Sequence, residues 1–235
     1  SMPSRNIIKP YLAGGYYHIY NRGVNKRTIF KDEQDYSVFL SYLKTYLLPM
    51  DTDILKAIIA NPHTLPKDKN LAQRQLQLNN FNNRIELLAY ILMTNHFHFL
   101  IHQTDERDVK VFMQSLMTRY TMYFNRRYKR VGTLFQGHYK AVLIETDELL
   151  LYITRYIHRN STDDFSHKRL DLFRQPSSYP NYLGELKQDW VKPEFVLQNF
   201  DRSGFNSYKS FVESEDNDLE QKSVTILHKL ELDAD

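Results

Sequence analysis

Two apolar runs separated by three residues constrain the fold of this chain most strongly. Ile85 to Leu92 and His96 to His102 have the length and composition of strands, and Met93 to Asn95 between them predicts a tight hairpin turn. Side chains two positions apart on a strand lie on the same face, so the imidazoles of His96 and His98 point to one side of the sheet. The pattern therefore predicts an antiparallel hairpin that presents a pair of histidines on one face.

A second cluster of polar residues, downstream of this histidine pair, could form a metal site together with it. Two neutral imidazoles about 6–7 Å apart on a strand can both reach one divalent ion, although a half-exposed strand without any ligand is the plainer interpretation. Tyr152, Tyr156 and Asn160 are spaced by four and share one face of a helix. If that face packs beside the histidine strand, the Asn160 amide oxygen completes a metal site and the Tyr156 phenol lies near the ion.

Such an arrangement suits chemistry on a phosphodiester. A metal ion polarises the phosphate and offsets charge on the leaving oxygen, while a tyrosine phenolate can attack phosphorus and form a covalent phosphotyrosine. A free tyrosine has a pKa of about 10, so the phenol needs a nearby cation or base. Apart from the metal, the candidate cations are Arg155, Arg159 and Lys140.

The remaining elements alternate between strand and helix patterns. A first strand is predicted at Tyr16 to Gly23, and another within Leu134 to Ile144. Residues 49–83 contain three prolines and many amides, which predicts an irregular insertion with a polar helix near 69–78. Amphipathic helices are predicted at Asp32 to Leu48, Asp108 to Tyr128 and Asp147 to Arg159. Strand pairs of this kind between helices predict an α+β fold around an antiparallel sheet.

Composition limits the class of protein. A chain of 235 residues with 42% hydrophobic residues is long enough for one large domain with appendages. No apolar stretch approaches the roughly 18 residues of a membrane span, so no membrane partner is expected. The chain has no cysteine, which excludes disulfides and thiolate metal sites and suits a cytoplasmic location.

Charge is distributed unevenly along the chain. Between Val109 and Ile144 there is no Asp or Glu, whereas the chain beyond Glu213 is strongly acidic. A basic segment interleaved with tyrosines predicts binding of an unpaired nucleic-acid strand, although a solvated helix face is the alternative. The cations of the basic segment are Lys110, Arg119, Arg126, Arg127, Lys129, Arg130 and Lys140.

Five short motifs, taken in order, carry a resemblance to a known family. They are Tyr16–Gly23, Thr94–Ile101, Arg119–Asn125, Gly132–Gly137 and Tyr156–Asn160. Together they resemble the insertion-sequence-200-like single-tyrosine transposases, whose strand motif is His-hydrophobic-His, and in particular the REP-associated tyrosine transposase branch. The resemblance covers residues 14 to 185. It departs from the usual pattern at Thr94-Asn95, where Pro-Asn is common, and at Gly137-His138, where Gly-Arg is frequent.

The resemblance implies a fold, an activity and a set of roles. The fold is a ferredoxin-like antiparallel sheet flanked by helices, and the activity is cleavage and rejoining of single-stranded DNA through a 5′-phosphotyrosine. His96 and His98 would be metal ligands with Asn160 as the third, Tyr156 the nucleophile, and Mg²⁺ or Mn²⁺ the ion. Hairpins of repeated extragenic palindromes would be the substrate, and the protein a monomer or a homodimer.

These inferences combine into one prediction with alternatives. Residues 1–185 are predicted to form the catalytic domain, with the insertion at 49–83, and residues 186–235 an acidic C-terminal extension. DNA contacts are predicted at Arg119, Arg126, Arg127, Lys129, Arg130, His138, Lys140 and Arg155. A catalytically retired hairpin-binding regulator is the main alternative. A relaxase or replication initiator is less favoured, because its tyrosine usually precedes the histidines.

Overall fold

A four-stranded sheet forms the centre of the protein. The computed structural model describes residues 11–159 and 175–214. The strands are β1 (Tyr16–Arg22), β2 (Ile85–Met93), β3 (His96–Gln103) and β4 (Lys140–Ile144), in the spatial order β2-β3-β1-β4. All neighbouring strands are antiparallel. With helices connecting β1 to β2 and β3 to β4, this is the β-α-β-β-α-β connection of ferredoxin-like folds. The predicted α+β class with an antiparallel sheet is confirmed.

Two long helices cover one face of this sheet. They are α1 (Glu33–Leu47) and α4 (Asp108–Arg127), close to their predicted bounds. Asp32 caps α1, because its side chain accepts a hydrogen bond from the Asp35 amide. Phe97 and Phe99 of β3 point into the core beneath both helices. The side chains opposite the histidines on β3 therefore anchor the sheet.

The other face is covered by the third predicted helix and by the C-terminal part of the chain. Helix α5 (Asp147–Arg159) begins after Thr146, whose hydroxyl accepts the Leu149 amide, as an N-cap residue does. Leu100 of β3 packs in the same cluster as Ile153 and Ile157 of α5. The described C-terminal segment, residues 175–214, contributes α6 (Tyr179–Tyr182), α7 (Glu194–Leu197) and α8 (Tyr208–Glu213). The histidine face of the sheet is thus the face on which α5 lies.

The insertion at residues 49–83 differs from its prediction. It forms two helices, α2 (Thr52–Ala60) and α3 (Pro66–Leu76), rather than an irregular segment with one polar helix. Asp51 caps α2 by accepting two backbone amides, and Pro66 occupies the first turn of α3, where proline is tolerated. The prolines therefore mark helix boundaries instead of breaking the helical pattern. Within the described part of the chain, no helix is long and apolar enough to cross a membrane.

Candidate metal and tyrosine site

The paired histidines lie together on the α5 face of the sheet, as the strand pattern predicted. The ring centroids of His96 and His98 are 5.2 Å apart, and the ring planes are nearly perpendicular at 85°. His96 is half-buried, whereas His98 is only 5% exposed. Strands β1 and β3 are adjacent at the centre of the sheet, so the even-numbered residues of β1 face the same space.

Asn95 fixes the ring of His96. Its side-chain oxygen lies 2.6 Å from Nδ1 of His96. An amide oxygen only accepts hydrogen bonds, so the histidine carries its proton on Nδ1 and keeps a lone pair on Nε2. Asn95 is itself held by its side-chain amide, which donates to the carbonyl of Lys26 at 3.3 Å. Sequence reasoning missed this role, for which the signal was an amide side chain directly before the first histidine.

His18 of β1 makes the corresponding contact with His98. Nε2 of His18 is 3.0 Å from Nδ1 of His98, and the two rings stack at an interplanar angle of 10°. Burial lowers the pKa of His18 to about 3. Burial, reinforced by His18 and His96, also holds the pKa of His98 well below its usual value.

The imidazoles of His96 and His98 can supply two of the ligands of a divalent ion. Burial, followed by the charge of Arg22, lowers the pKa of His96 as well, so all three rings are neutral. Neutral imidazole is the form that binds metals, and both strand histidines use Nδ1 for a protein contact, which leaves Nε2 for an ion. Within residues 11–159 and 175–214, no three His, Cys, Asp or Glu side chains are arranged so that they could all bind one metal ion. Asn160, the predicted third ligand, lies outside the described residues.

Tyr156 lies beside these histidines. The centroid of its ring is 5.5 Å from that of His98 and 6.2 Å from that of His18, in both cases edge-on. Tyr156 is half-buried, whereas Tyr152, one helical turn earlier, is 8% exposed. A second phenol, that of Tyr20, stacks against His98 with a centroid distance of 5.6 Å. Sequence reasoning overlooked Tyr20, which its position two residues after His18 could have revealed.

Two buried polar side chains hold α5 against the C-terminal segment. Arg155 is 1% exposed, and its guanidinium donates to the carbonyls of Phe211 and Ser214 at 2.7 Å each. The predicted role of Arg155 as a DNA contact is therefore contradicted, because its charge faces the interior. His158 lies between the hydroxyls of Tyr208 and Ser178. These contacts fix the rotation of α5 and with it the direction of Tyr156.

The burial of His158 predicts an acid-sensitive fold. Burial lowers the pKa of His158 to about 3, below its usual value near 6.5. Between these values the unfolded chain binds the extra proton, so stability present above pH 6.5 is lost as the pH falls. His158→Gln is expected to reduce the pH slope of the unfolding free energy by about 1.4 kcal/mol per pH unit between pH 6 and 4. Urea titrations measure this slope, and equal slopes for both proteins there would contradict the assignment.

The predicted DNA-binding residues of α4 lie on the opposite face of the sheet from the histidines. Arg127 is paired with Asp32 and Asp35 at 2.6 Å, and Arg119 stacks on the ring of Tyr42 at 3.9 Å. These two arginines therefore contribute to the packing of α4 on α1, and their contacts with DNA stay predictions. The three other predicted cations lie at or just after the end of α4, where Arg126 and Lys129 are exposed and Arg130 is half-buried. Their DNA contacts stay predictions.

Two cations lie on the histidine face itself. Lys140 of β4 is in register with Tyr20 of β1, and Arg22 is in register with His96. Arg22 is exposed, and its Nε donates to the side chain of Gln136 at 2.6 Å. His138, predicted as a phosphate contact, is exposed in the loop before β4. Arg22 was absent from the predicted set, although the strand alternation places it on the face of His18.

The chain is similar to known proteins in sequence and in structure. Residues 69–160 match the model of the family described as "Transposase IS200 like", a range that includes both strand histidines and Tyr156. A solved structure of a REP-associated tyrosine transposase bound to a REP hairpin aligns at 14% identity and a TM-score of 0.43, covering 88% of this chain and 96% of that chain. No curated protein matches the sequence. Residues 69–160 are therefore similar to the IS200-like transposase family.

Proposed function

We propose that this protein cuts and rejoins single-stranded DNA with Tyr156 as nucleophile and Mg²⁺ or Mn²⁺ as the ion. The single observation that carries the proposal is the position of the Tyr156 ring, edge-on and 5.5 Å from His98 on the histidine face. A phenol beside two neutral imidazoles combines a nucleophile with a metal-binding pair. Both groups come from one chain, which supports a site that a monomer can assemble, whether or not the protein also dimerises.

The residues have distinct roles in this proposal. His96 and His98 would hold the ion through Nε2, with Asn160 as the proposed third ligand. When bound, the ion would polarise the scissile phosphate and offset the developing negative charge. The Tyr156 oxygen attacks phosphorus, the bond to the 3′ oxygen breaks, and the products are a 5′-phosphotyrosine and a free 3′-hydroxyl. Attack by another 3′-hydroxyl on the phosphotyrosine reverses the step and releases Tyr156.

The phenol has to lose its proton for this attack. A nearby cation favours the phenolate. Arg155 is excluded from this role because its guanidinium is turned toward the C-terminal segment. Arg159, at the end of α5, also donates to the carbonyl of Ser214, at 3.3 Å. Lys140, on the same sheet face as the histidines, is therefore the better candidate of the two.

The experiment uses a labelled single-stranded hairpin oligonucleotide. Hairpins of repeated extragenic palindromes are the substrate that the sequence resemblance implies. The protein is incubated with the oligonucleotide and Mn²⁺ and analysed on a denaturing gel. We expect a protein–DNA adduct that survives denaturation and requires the ion. Tight binding without any adduct would favour the alternative, a hairpin-binding regulator that has lost its chemistry.

Arg22 is expected to contribute to DNA binding beside the site. Each phosphate contact by Lys or Arg releases counterions from the DNA. Losing one contact therefore lowers the magnitude of the slope of the logarithm of the binding constant against the logarithm of the salt concentration by about one. Arg22→Ala should therefore weaken binding of single-stranded DNA and lower that slope. Lys56→Ala, at an exposed position of α2, is the matched control and should leave both unchanged. Fluorescence anisotropy over a salt series measures the slopes, and identical values for Arg22→Ala and wild type would exclude this contact.

A further inference from the structure

The two strand histidines are held by different kinds of partner. His96 is held by the side-chain oxygen of Asn95, which can only accept a hydrogen bond. His98 is held by another imidazole, that of His18, which can either donate or accept. The direction of this second hydrogen bond therefore decides which nitrogen of His98 carries a lone pair toward the site.

The sheet register brings His18 to this position. His18 is directly opposite Leu100 on β3, and Tyr20 is opposite His98. The His18 ring reaches diagonally to its neighbour two residues away on β3, a distance that long and aromatic side chains span. The ring is 2% exposed, so water does not compete for its nitrogens. Its other nitrogen, Nδ1, has no hydrogen-bond partner among the described residues.

Only one direction of the hydrogen bond is compatible with a bound ion. A neutral imidazole carries one proton and one lone pair. If His18 donates from Nε2, His98 carries its own proton on Nε2 and cannot bind an ion there. If His18 accepts at Nε2, the proton of His98 lies on Nδ1 and the Nε2 lone pair is free. In metal sites a ligating histidine commonly donates its other N–H to such a partner.

We propose that His18 is a positioning residue of the metal site, which accepts the Nδ1–H of His98 and leaves the Nε2 lone pair directed at the ion. This inference rests on the proposed function, because it takes His98 as a ligand. It makes His18 the counterpart of Asn95, one partner for each ligand. The proton of His18 then lies on Nδ1, the buried nitrogen without a described partner.

Two variants separate the hydrogen bond from packing. His18→Phe keeps a buried ring between the strands but cannot accept a hydrogen bond from His98. His18→Gln offers a side-chain oxygen that can accept one. Loss of a partner of this kind typically lowers metal affinity by about 10- to 100-fold. Titration with Mn²⁺, followed by electron paramagnetic resonance without DNA, should show that loss in His18→Phe and a largely restored affinity in His18→Gln.

Nitrogen NMR of the histidine rings reads the tautomer directly. In the wild-type protein loaded with Mg²⁺, His98 should carry its proton on Nδ1. A proton on Nε2 of His98 in that state would overturn the proposal, even if His18→Phe failed to fold. A folded His18→Phe protein with wild-type Mn²⁺ affinity would overturn it equally. If the His96→Ala variant bound Mn²⁺ as tightly as the wild-type protein, that result would instead contradict the proposed function.

Discussion

Replacing Tyr156 by phenylalanine is expected to lower the rate of covalent adduct formation on single-stranded DNA by about 10³-fold or more. The substitution removes the attacking oxygen and keeps the ring that packs edge-on against His98 and His18. The fold and the binding of DNA should therefore remain close to wild type. The measurement is the initial rate of adduct formation on a labelled hairpin with Mn²⁺, together with anisotropy for binding.

Tyr152→Phe provides the matched control. Tyr152 is on the same helix one turn earlier and is 8% exposed, so its hydroxyl is less accessible to a DNA strand. Its removal should leave the rate of adduct formation within a few-fold of wild type. A protein that loses the adduct with Tyr152→Phe but keeps it with Tyr156→Phe would reverse the assignment. Tyr20→Phe extends the comparison to the second phenol beside His98.

Replacing Asp35 by alanine is expected to destabilise the fold by about 3–5 kcal/mol, the range for removing one partner of a buried ion pair. The Asp35 side chain is fully buried and accepts hydrogen bonds from the hydroxyls of Tyr123 and Tyr128. It also accepts from the backbone amide of Lys31 and the guanidinium of Arg127. The substitution leaves these donors without their shared acceptor where α4 ends against the start of α1. Urea denaturation measures the change.

The neighbouring carboxylate is the control for this prediction. Asp32 also pairs with Arg127, but its side chain is 39% exposed, so solvent screens the pair. Asparagine retains the capping oxygen for α1. Asp32→Asn should therefore cost no more than about 1 kcal/mol. Equal losses of unfolding free energy in Asp32→Asn and Asp35→Ala would show that the buried hydrogen bonds of Asp35 do not stabilise the fold more than the exposed ion pair of Asp32.

Periodicity was sufficient to predict the sheet hairpin and the face on which its candidate site residues lie. Alternation along β3 put His96 and His98 on one face, and the spacing of four on α5 aligned Tyr156 with its neighbours. The structure brings these two patterns together. Periodicity determines which face a side chain occupies, and this was the information that the candidate site required.

Periodicity does not determine register between strands that are distant in sequence. The contact of His18 with His98 joins residues 80 positions apart, and it depends on how β1 aligns with β3. No local pattern contains that alignment, which is why the contacts of His18 and Tyr20 with His98 were not predicted. Asn95 was missed for another reason, because its function depends on how the turn directs its side chain.

Charge was the least informative signal at single positions. Arg127 belongs to a stretch without any carboxylate, yet it pairs with Asp32 and Asp35, more than 90 residues earlier in the chain. Arg155 donates to backbone carbonyls of α8 and the residue after it, more than 50 residues later in the chain. A count of charges along the sequence reveals neither kind of partner, so the interior position of Arg155 and the ion pairs of Arg127 could not be predicted from it.

The most direct test of the account is to identify the residue that becomes linked to DNA. The wild-type protein is allowed to react with a single-stranded hairpin and Mn²⁺, the adduct is digested with trypsin, and the DNA-linked peptide is identified by mass spectrometry. We predict a peptide that contains Tyr156, between the cleavage sites at Arg155 and Arg159. Linkage at Tyr20 or Tyr152 would contradict the proposed chemistry at this site.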